Sequence, residues 1–275
     1  MKKFLNLGCG KNYLTHWTNI DFYSDNKAVI QHDLSKGLPF PNQTFDFVYH
    51  SHVLEHFTLE MATFLLNECF RVLKPGGFIR VVVPDLEMII ANYISLLEQI
   101  KKGRGNELLF QNLQWIKLEL LDQASRNYKG GEMVKFLTNP KLGNKDFVIG
   151  RLGEESKVIF DDQPFSTKNK NSLDLIKLFI KAFKIRGLIK KMVLTKAEKQ
   201  NLAIGEFRTS GEIHQWMYEE VSLKRLLHET GFNNVIKTTA YSSYLPDWED
   251  NNLDIINGNI RKPDSLFVEA QKTDQ

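Results

Sequence analysis

The sequence predicts an α/β protein: a seven-stranded, mostly parallel sheet with an antiparallel last strand, flanked by helices and carrying a helical cap. Three observations predict it. The first 86 residues alternate short apolar runs with Gly-, Pro- and Asp-containing turns, the rhythm of strand–helix–strand units. Residues 87–206 change to apolar residues at three- and four-residue spacing with few strand signals. From Glu212 onward the first rhythm returns. The chain is therefore read as a core made of residues 1–86 and 207–275, with residues 87–206 inserted as the cap.

The elements follow in order. Phe4–Leu7 is a compact strand stopped by Gly8-Cys9-Gly10, and Thr18–Asp21 and Val29–His32 read as the second and third strands. Leu38–Asn42 is a Pro-punctuated loop, and Phe45–Tyr49 is the fourth strand. Leu59, Ala62, Leu66, Cys69, Phe70 and Leu73 form one stripe at helical spacing, ended by Lys74-Pro75-Gly76-Gly77. Phe78–Val83 is a nearly continuous apolar run, as a buried parallel strand requires. Met88–Ile100 and Glu107–Gln123 read as helices of the insertion. Leu223, Leu226 and Leu227 mark a helix closing at Gly231, before strands at Val235–Tyr241 and Ser265–Ala270.

Charge and cysteine content narrow the function. Lys plus Arg is 36 against 33 for Asp plus Glu, a net charge of +3 that gives no global case for a nucleic-acid partner. Cys9 and Cys69 are the only cysteines, so neither a disulfide scaffold nor a cysteine-based zinc site is expected. The N-terminus lacks the run of about 7–15 apolar residues of a secretory leader, and no stretch approaches the roughly 18 of a membrane span. A cytoplasmic protein is expected.

The chemistry starts at Leu5-Asn6-Leu7-Gly8-Cys9-Gly10, where a strand ends in a Gly-x-Gly turn that lets backbone approach a ligand. A third glycine of the dinucleotide fingerprint would stand at position 13, but Tyr13 is there, which disfavours a nicotinamide dehydrogenase. Asp21 and Asp33 end the next two strands, and in a doubly wound sheet such carboxyl ends line the crevice that takes a nucleoside. A carboxylate there can accept hydrogen bonds from both ribose hydroxyls, and a second can meet the base.

These residues, with Leu34, Leu38-Pro39-Phe40, Phe45-Asp46-Phe47-Val48, Leu54-Glu55-His56 and Arg71-Val72-Leu73-Lys74-Pro75-Gly76-Gly77, make the chain resemble the class I S-adenosylmethionine-dependent methyltransferases. The nearest likeness is the type 11 subgroup. The run Phe207–Tyr218 and Lys262-Pro263-Asp264-Ser265-Leu266 further resemble a bacterial branch associated with cell-surface saccharide biosynthesis. The resemblance implies a Rossmann-like core and S-adenosyl-L-methionine as cofactor. Asn6, Leu7, Gly8, Cys9 and Gly10 would meet its methionine moiety, Asp21 the ribose, and Asp33 with Leu34 the adenine. One departure matters: only ten residues separate Gly10 from Asp21, too few for a full crossover helix. The methionine carboxylate then lacks the usual helix N-terminus, and backbone amides or Lys11 are expected to compensate.

His50 and Ser51, at the end of the fourth strand, are expected to face the methyl donor, with Glu55 and His56 as scaffold. Three histidines and a glutamate within seven residues invite a metal, but the resemblance places these residues in non-metal enzymes, and none is expected. No Asn/Asp-Pro-Pro-Tyr motif follows this strand, so base methylation is disfavoured. Methyl transfer from a sulfonium is a direct displacement that needs alignment, worth about 7–11 kcal/mol, and for a hydroxyl acceptor a base. His214 is the expected base, with His50 and Asp85 behind it. An extended segment would place Glu212, His214, Trp216 and Tyr218 on one face, as a wall for a small-molecule or glycan acceptor; a latch between cap and core is the other reading.

Between Lys168 and Lys199 ten cations face two acids, a local +8, over an apolar helical stripe. The reading preferred here is a solvated cap helix; contact with the inner face of a membrane is the alternative, and nucleic acid is disfavoured. The competing functions are a catalytically silent cofactor-binding module and a peripheral membrane adaptor acting through residues 168–199.

Overall fold

The computed structural model describes residues 2–153, 156 and 194–273. Most of the basic stretch 168–199 therefore lies outside the described residues. Five strands come first: β1 (Phe4–Leu7), β2 (Thr18–Asp21), β3 (Val29–Gln31), β4 (Phe45–Ser51) and β5 (Leu73–Pro84). Helix α1 (Leu59–Val72) joins the last two. The insertion carries α2 (Leu86–Gln99), α3 (Glu107–Ser125), α4 (Gly131–Leu137), α5 (Lys145–Leu152) and α6 (Lys196–Arg208). After it come α7 (Glu220–Glu229), β6 (Asn233–Lys237), α8 (Trp248–Asn251), the two-residue strands β7 (Ile255–Ile256) and β8 (Asn259–Ile260), and β9 (Ser265–Gln271).

Seven strands form one sheet in the order β3-β2-β1-β4-β5-β9-β6, with β9 antiparallel to both neighbours. This is a Rossmann-like, mostly parallel sheet with one antiparallel strand, as expected. Three local expectations change. Strand β5 begins at Leu73, not Phe78, because Leu73 already pairs with Phe45 before a register shift. The buried stripe of α1 is Ala62, Leu65, Leu66, Cys69 and Val72, whereas Leu59 is exposed. Strand β6 ends at Lys237, since Thr238 and Thr239 turn the chain through hydrogen bonds to Ser242.

One sheet face packs conventionally, with Leu65, Leu66 and Cys69 of α1 and Leu223 and Leu227 of α7 against Leu5, Leu7, Val81 and Val268. The opposite face is unusual. The ten residues between β1 and β2 contain no helix, fewer than the dozen or so that a parallel crossover ordinarily takes. An aromatic layer covers the face there: Trp17 lies edge-on to Phe47 and Tyr49 at 6.0 and 6.3 Å, and Trp248 packs 6.2 Å from Phe47. Trp248 comes from the excursion between β6 and β9, which Asn12 holds through the Leu253 carbonyl at 2.8 Å.

Arg80 of β5 fastens this cover. It is fully buried; its Nε donates to Asp254 Oδ2 and its Nη1 to Glu269 Oε1, both at 2.7 Å, and it donates further to the Ser242 and Thr239 carbonyls. The guanidinium lies 4.6 Å from the Trp248 ring centroid, and the Tyr49 hydroxyl donates to the other Asp254 oxygen at 2.6 Å. Removing one partner of such a pair leaves a buried charge uncompensated, at a cost of about 3–5 kcal/mol. Arg80→Met should therefore lower the urea-unfolding free energy by about that much; a loss below about 1 kcal/mol would show that the cover holds without it.

A second clamp secures the loop after β3. Arg71 grips Glu68 two-pronged, Nε to Oε1 at 2.6 Å and Nη2 to Oε2 at 2.7 Å, and also donates to the Leu38 and Phe40 carbonyls. The Arg71 hydrogen bonds hold the Glu68 carboxyl below its ordinary value of 4.5. The unfolded chain thus takes up this proton first, so the contribution is complete above about pH 4.5 and is lost as pH falls below it. In Glu68→Gln, the urea midpoint should be lower at pH 7 and fall less steeply between pH 5 and 3 than in the parent.

Candidate active site

A cavity of about 610 Å³ opens at the carboxyl ends of β1 to β4. Gly8, Asp21, Asp33, Leu34, His52, Val53, His56 and Gln215 are among its lining residues. Gly8 has a left-handed φ of +61°, and a Cβ there would meet Val53 Cγ2 at 2.3 Å. Its hydrogen is what allows Val53 to close the floor of the cavity. The Gly10 amide donates to Asp21 Oδ2 at 2.7 Å and the Tyr23 amide to Oδ1 at 3.2 Å, which aims the carboxylate. Asp33 accepts from the Ser35 hydroxyl and amide at 2.7 and 3.0 Å, and the Ser35 hydroxyl keeps its carboxyl below the usual range. Both acids are thus pinned at the ends of adjacent strands, a geometry that suits a nucleoside.

The remaining sequence candidates sit elsewhere. Asn6 is buried and binds Asn12 and Asn19, knitting the short crossover together; Leu7 is buried in the core; neither lines the cavity. Cys9, Gly10, Lys11 and Ser51 also lie outside the lining, and burial raises the Cys9 thiol to about 11, which keeps it protonated. His50 is fully buried with neither ring nitrogen hydrogen-bonded, and burial lowers it to about 4. Asp85 caps α2 by accepting from the Met88 amide at 3.1 Å.

The extended wall expected at Glu212–Tyr218 does not form. Ile213 and His214 are both buried, Gln215 and Trp216 both exposed, and Tyr218 sits in the core with its backbone bridged to Asp85. An alternating strand would have separated these pairs; the segment turns instead because both its ends are tied. Arg126 donates to the Glu212 carbonyl and His214 to the Gln123 carbonyl, while the Gln215 and Trp216 amides both donate to the Glu55 carbonyl, at 2.7 and 3.2 Å. The result is a strap that sets Ser210, Gly211 and Gln215 along the cavity.

Beneath the strap lies a group that the sequence reading took for scaffold. Glu55 is fully buried, and neither carboxylate oxygen has a hydrogen bond. His52 Nδ1 stands 3.3 Å from Oε1, within ion-pair reach but misaligned for a hydrogen bond, while His52 Nε2 meets the Ser265 hydroxyl at 2.8 Å. His56 Nδ1 faces the Ile213 carbonyl at 3.1 Å, and the His56 and His214 rings lie 4.9 Å apart, nearly perpendicular. Burial alone would raise the Glu55 carboxyl, but His52, His56 and His214 outweigh it and hold it near 2. Burial drives His214 the other way, to about 3. His52, which carries a left-handed φ of +55°, and His56 are the histidines that reach the cavity. The sequence signal for them was present in His52–His56; the direction of their side chains was not.

Comparison with known proteins agrees with this geometry. Residues 19–81 match the methyltransferase domain family, the span that carries Asp21, Asp33 and Glu55. No curated protein matches the chain. Among solved structures, it is similar to an S-adenosylmethionine-dependent methyltransferase of Archaeoglobus fulgidus, at 13% identity over 98% of this chain and 86% of that one, with a TM-score of 0.39. It is also similar to a Thermotoga maritima methyltransferase described as a possible histamine N-methyltransferase, at 12% identity over 99% and 83%, with a TM-score of 0.39. A Methanosarcina mazei methyltransferase aligns at 21% identity over 34% of this chain and 59% of that one, with a TM-score of 0.28.

Among the described residues, no helix is long and apolar enough to cross a membrane. Asp21→Ala should weaken S-adenosylhomocysteine binding at least tenfold in calorimetry, about 1.4 kcal/mol, while Ser51→Ala leaves it within twofold.

Proposed function

We propose that this chain is an S-adenosyl-L-methionine-dependent methyltransferase acting on an oxygen of a small polyhydroxylated acceptor, a saccharide being the class that fits best. The observation that carries this reading is the pairing of the two cavity carboxylates with a histidine-lined wall at the same sheet end. The cofactor, when bound, supplies an electrophilic methyl group on a sulfonium. Asp21 holds the ribose hydroxyls, and Asp33 with Leu34 meets the base. The strap residues Ser210, Gly211 and Gln215 narrow the opening and exclude water from the reacting atoms.

An alcohol attacking that methyl must lose its proton, and His52 takes it at Nε2, exchanging its contact with the Ser265 hydroxyl for the acceptor. Its ring lines the cavity, and the buried Glu55 carboxylate beside its Nδ1 orients it and stabilises the charge it gains. His214, the base expected from sequence, does not line the cavity, and a ring that burial holds near 3 is a poor proton acceptor at neutral pH. Exposed Trp216 lines a separate pocket of about 260 Å³ with His214, outside the cavity. The saccharide reading also rests on the resemblance of Phe207–Tyr218 and Lys262–Leu266 noted above.

The test is product formation from labelled cofactor across a panel of hydroxylated, amine and thiol acceptors. His52→Ala should cut turnover by about 10²–10⁴, with S-adenosylhomocysteine affinity unchanged within threefold. Preferred transfer to amines, or full turnover in the variant, would overturn the oxygen-acceptor mechanism.

A further inference from the structure

We infer that Glu55, His56 and His214 form a binding site for a divalent transition metal of the zinc class, which joins the strap to the floor of the cavity. One ligand atom from each of the three lies within 4.8 Å of the other two. The sequence reading expected no metal because the resemblance places the His50–His56 residues in non-metal enzymes. The third ligand arrives only when the strap returns from the insertion, a juxtaposition that linear spacing does not show.

Three features point to a cation rather than to ordinary packing. Glu55 is fully buried, yet both of its carboxylate oxygens lack a hydrogen-bond donor, and His214 Nδ1 is likewise buried and unpartnered. Buried charges are ordinarily paired or coordinated to metal, and buried polar atoms are ordinarily hydrogen-bonded. Among the described residues, the side chain in ion-pair reach of Glu55 is His52, which is misaligned and committed to Ser265 through its other nitrogen. A divalent cation would satisfy the carboxylate and the imidazole lone pair together.

The surroundings have the form of a ligand shell. The contact of His56 Nδ1 with the Ile213 carbonyl fixes the tautomer and turns Nε2 into the free lone pair, the arrangement that supports metal-bound histidines. Backbone hydrogen bonds from Gln215 and Trp216 to Glu55, and from His214 to Gln123, hold the three ligand-bearing stretches in register. Two imidazoles and one carboxylate suit zinc or its transition-series neighbours and not magnesium or calcium, which take oxygen ligands. Zinc bonds of about 2.0–2.2 Å require the three atoms to draw together by about 1 Å or more, within reach of side-chain rotation. Three protein ligands leave a further coordination position open.

The test uses the full chain after treatment with a chelator and titration with zinc chloride in a calorimeter. One equivalent should bind with micromolar or tighter affinity, and His214→Gln and Glu55→Gln should each weaken it at least tenfold. His228→Gln, at a histidine remote from the site, should not. X-ray absorption of the zinc-loaded parent protein should show two imidazole nitrogens and carboxylate oxygen around the metal, a readout that stands even if the variants do not fold. Zinc uptake unaffected by either substitution, or a shell of oxygen ligands alone, would overturn the site. Zinc uptake and methyl transfer are read in separate assays, the acceptor panel deciding the latter, although Glu55 enters both.

Discussion

The constraint on which this structure depends is the length of one connection. Ten residues link β1 to β2, and a parallel pair joined so tightly cannot carry its own covering helix. The bare sheet face has to be covered from elsewhere, and the excursion between β6 and β9 does so. That excursion is mostly irregular, so it could not hold by periodic packing alone. Arg80 gives it a fixed point: one guanidinium binds Asp254 in the excursion, Glu269 on the neighbouring strand and two turn carbonyls, while stacking on Trp248. A buried cation is expensive in isolation, but here its donors have acceptors and its face has an aromatic ring, the conditions under which such a group specifies one arrangement.

The same short connection reshapes the cofactor end of the cavity. A crossover helix would have presented its N-terminal amides to an anionic group. Without it, the loop amides serve inward: Gly10 and Tyr23 donate to Asp21 and so fix the carboxylate itself. The polar groups left at this end are the two acids and the strap residues that line the cavity beside them. The strap in turn depends on the insertion, because Arg126 and the Gln123 carbonyl, both on or just beyond α3, hold its Glu212–His214 turn. The cap thus contributes to the site without its helices lining the deep end.

Much of this was legible in the sequence. The strands at Phe4–Leu7, Thr18–Asp21 and Ser265–Gln271 announce themselves by apolar runs against turns, and Asp21 and Asp33 by their place at strand ends. The missing crossover helix was visible as a simple count between Gly10 and Asp21. Side-chain direction was not. His50 and Ser51 had the right address, but strand β4 turns His50 inward, and the left-handed backbone at His52 aims the next ring at the cavity instead. The Glu212–Tyr218 run has a pattern compatible with extension, and only its tertiary ties, to Gln123, Arg126 and Glu55, bend it. Local patterns cannot report ties made to residues so distant in the chain.

Glu55 shows why such ties carry function as well as shape. Its backbone carbonyl receives the strap, while its side chain points to the histidines that the strap and the β4 loop bring in. Placing an unsolvated carboxylate at that junction costs stability, and an apolar residue of similar volume would pack there more cheaply. The arrangement makes sense if the charge has work at the cavity edge: it faces His52 and attracts positive charge to the point where strap and floor meet. Strap and floor are then tied through one residue, so that disturbing either the insertion or the β4 loop disturbs the cavity wall.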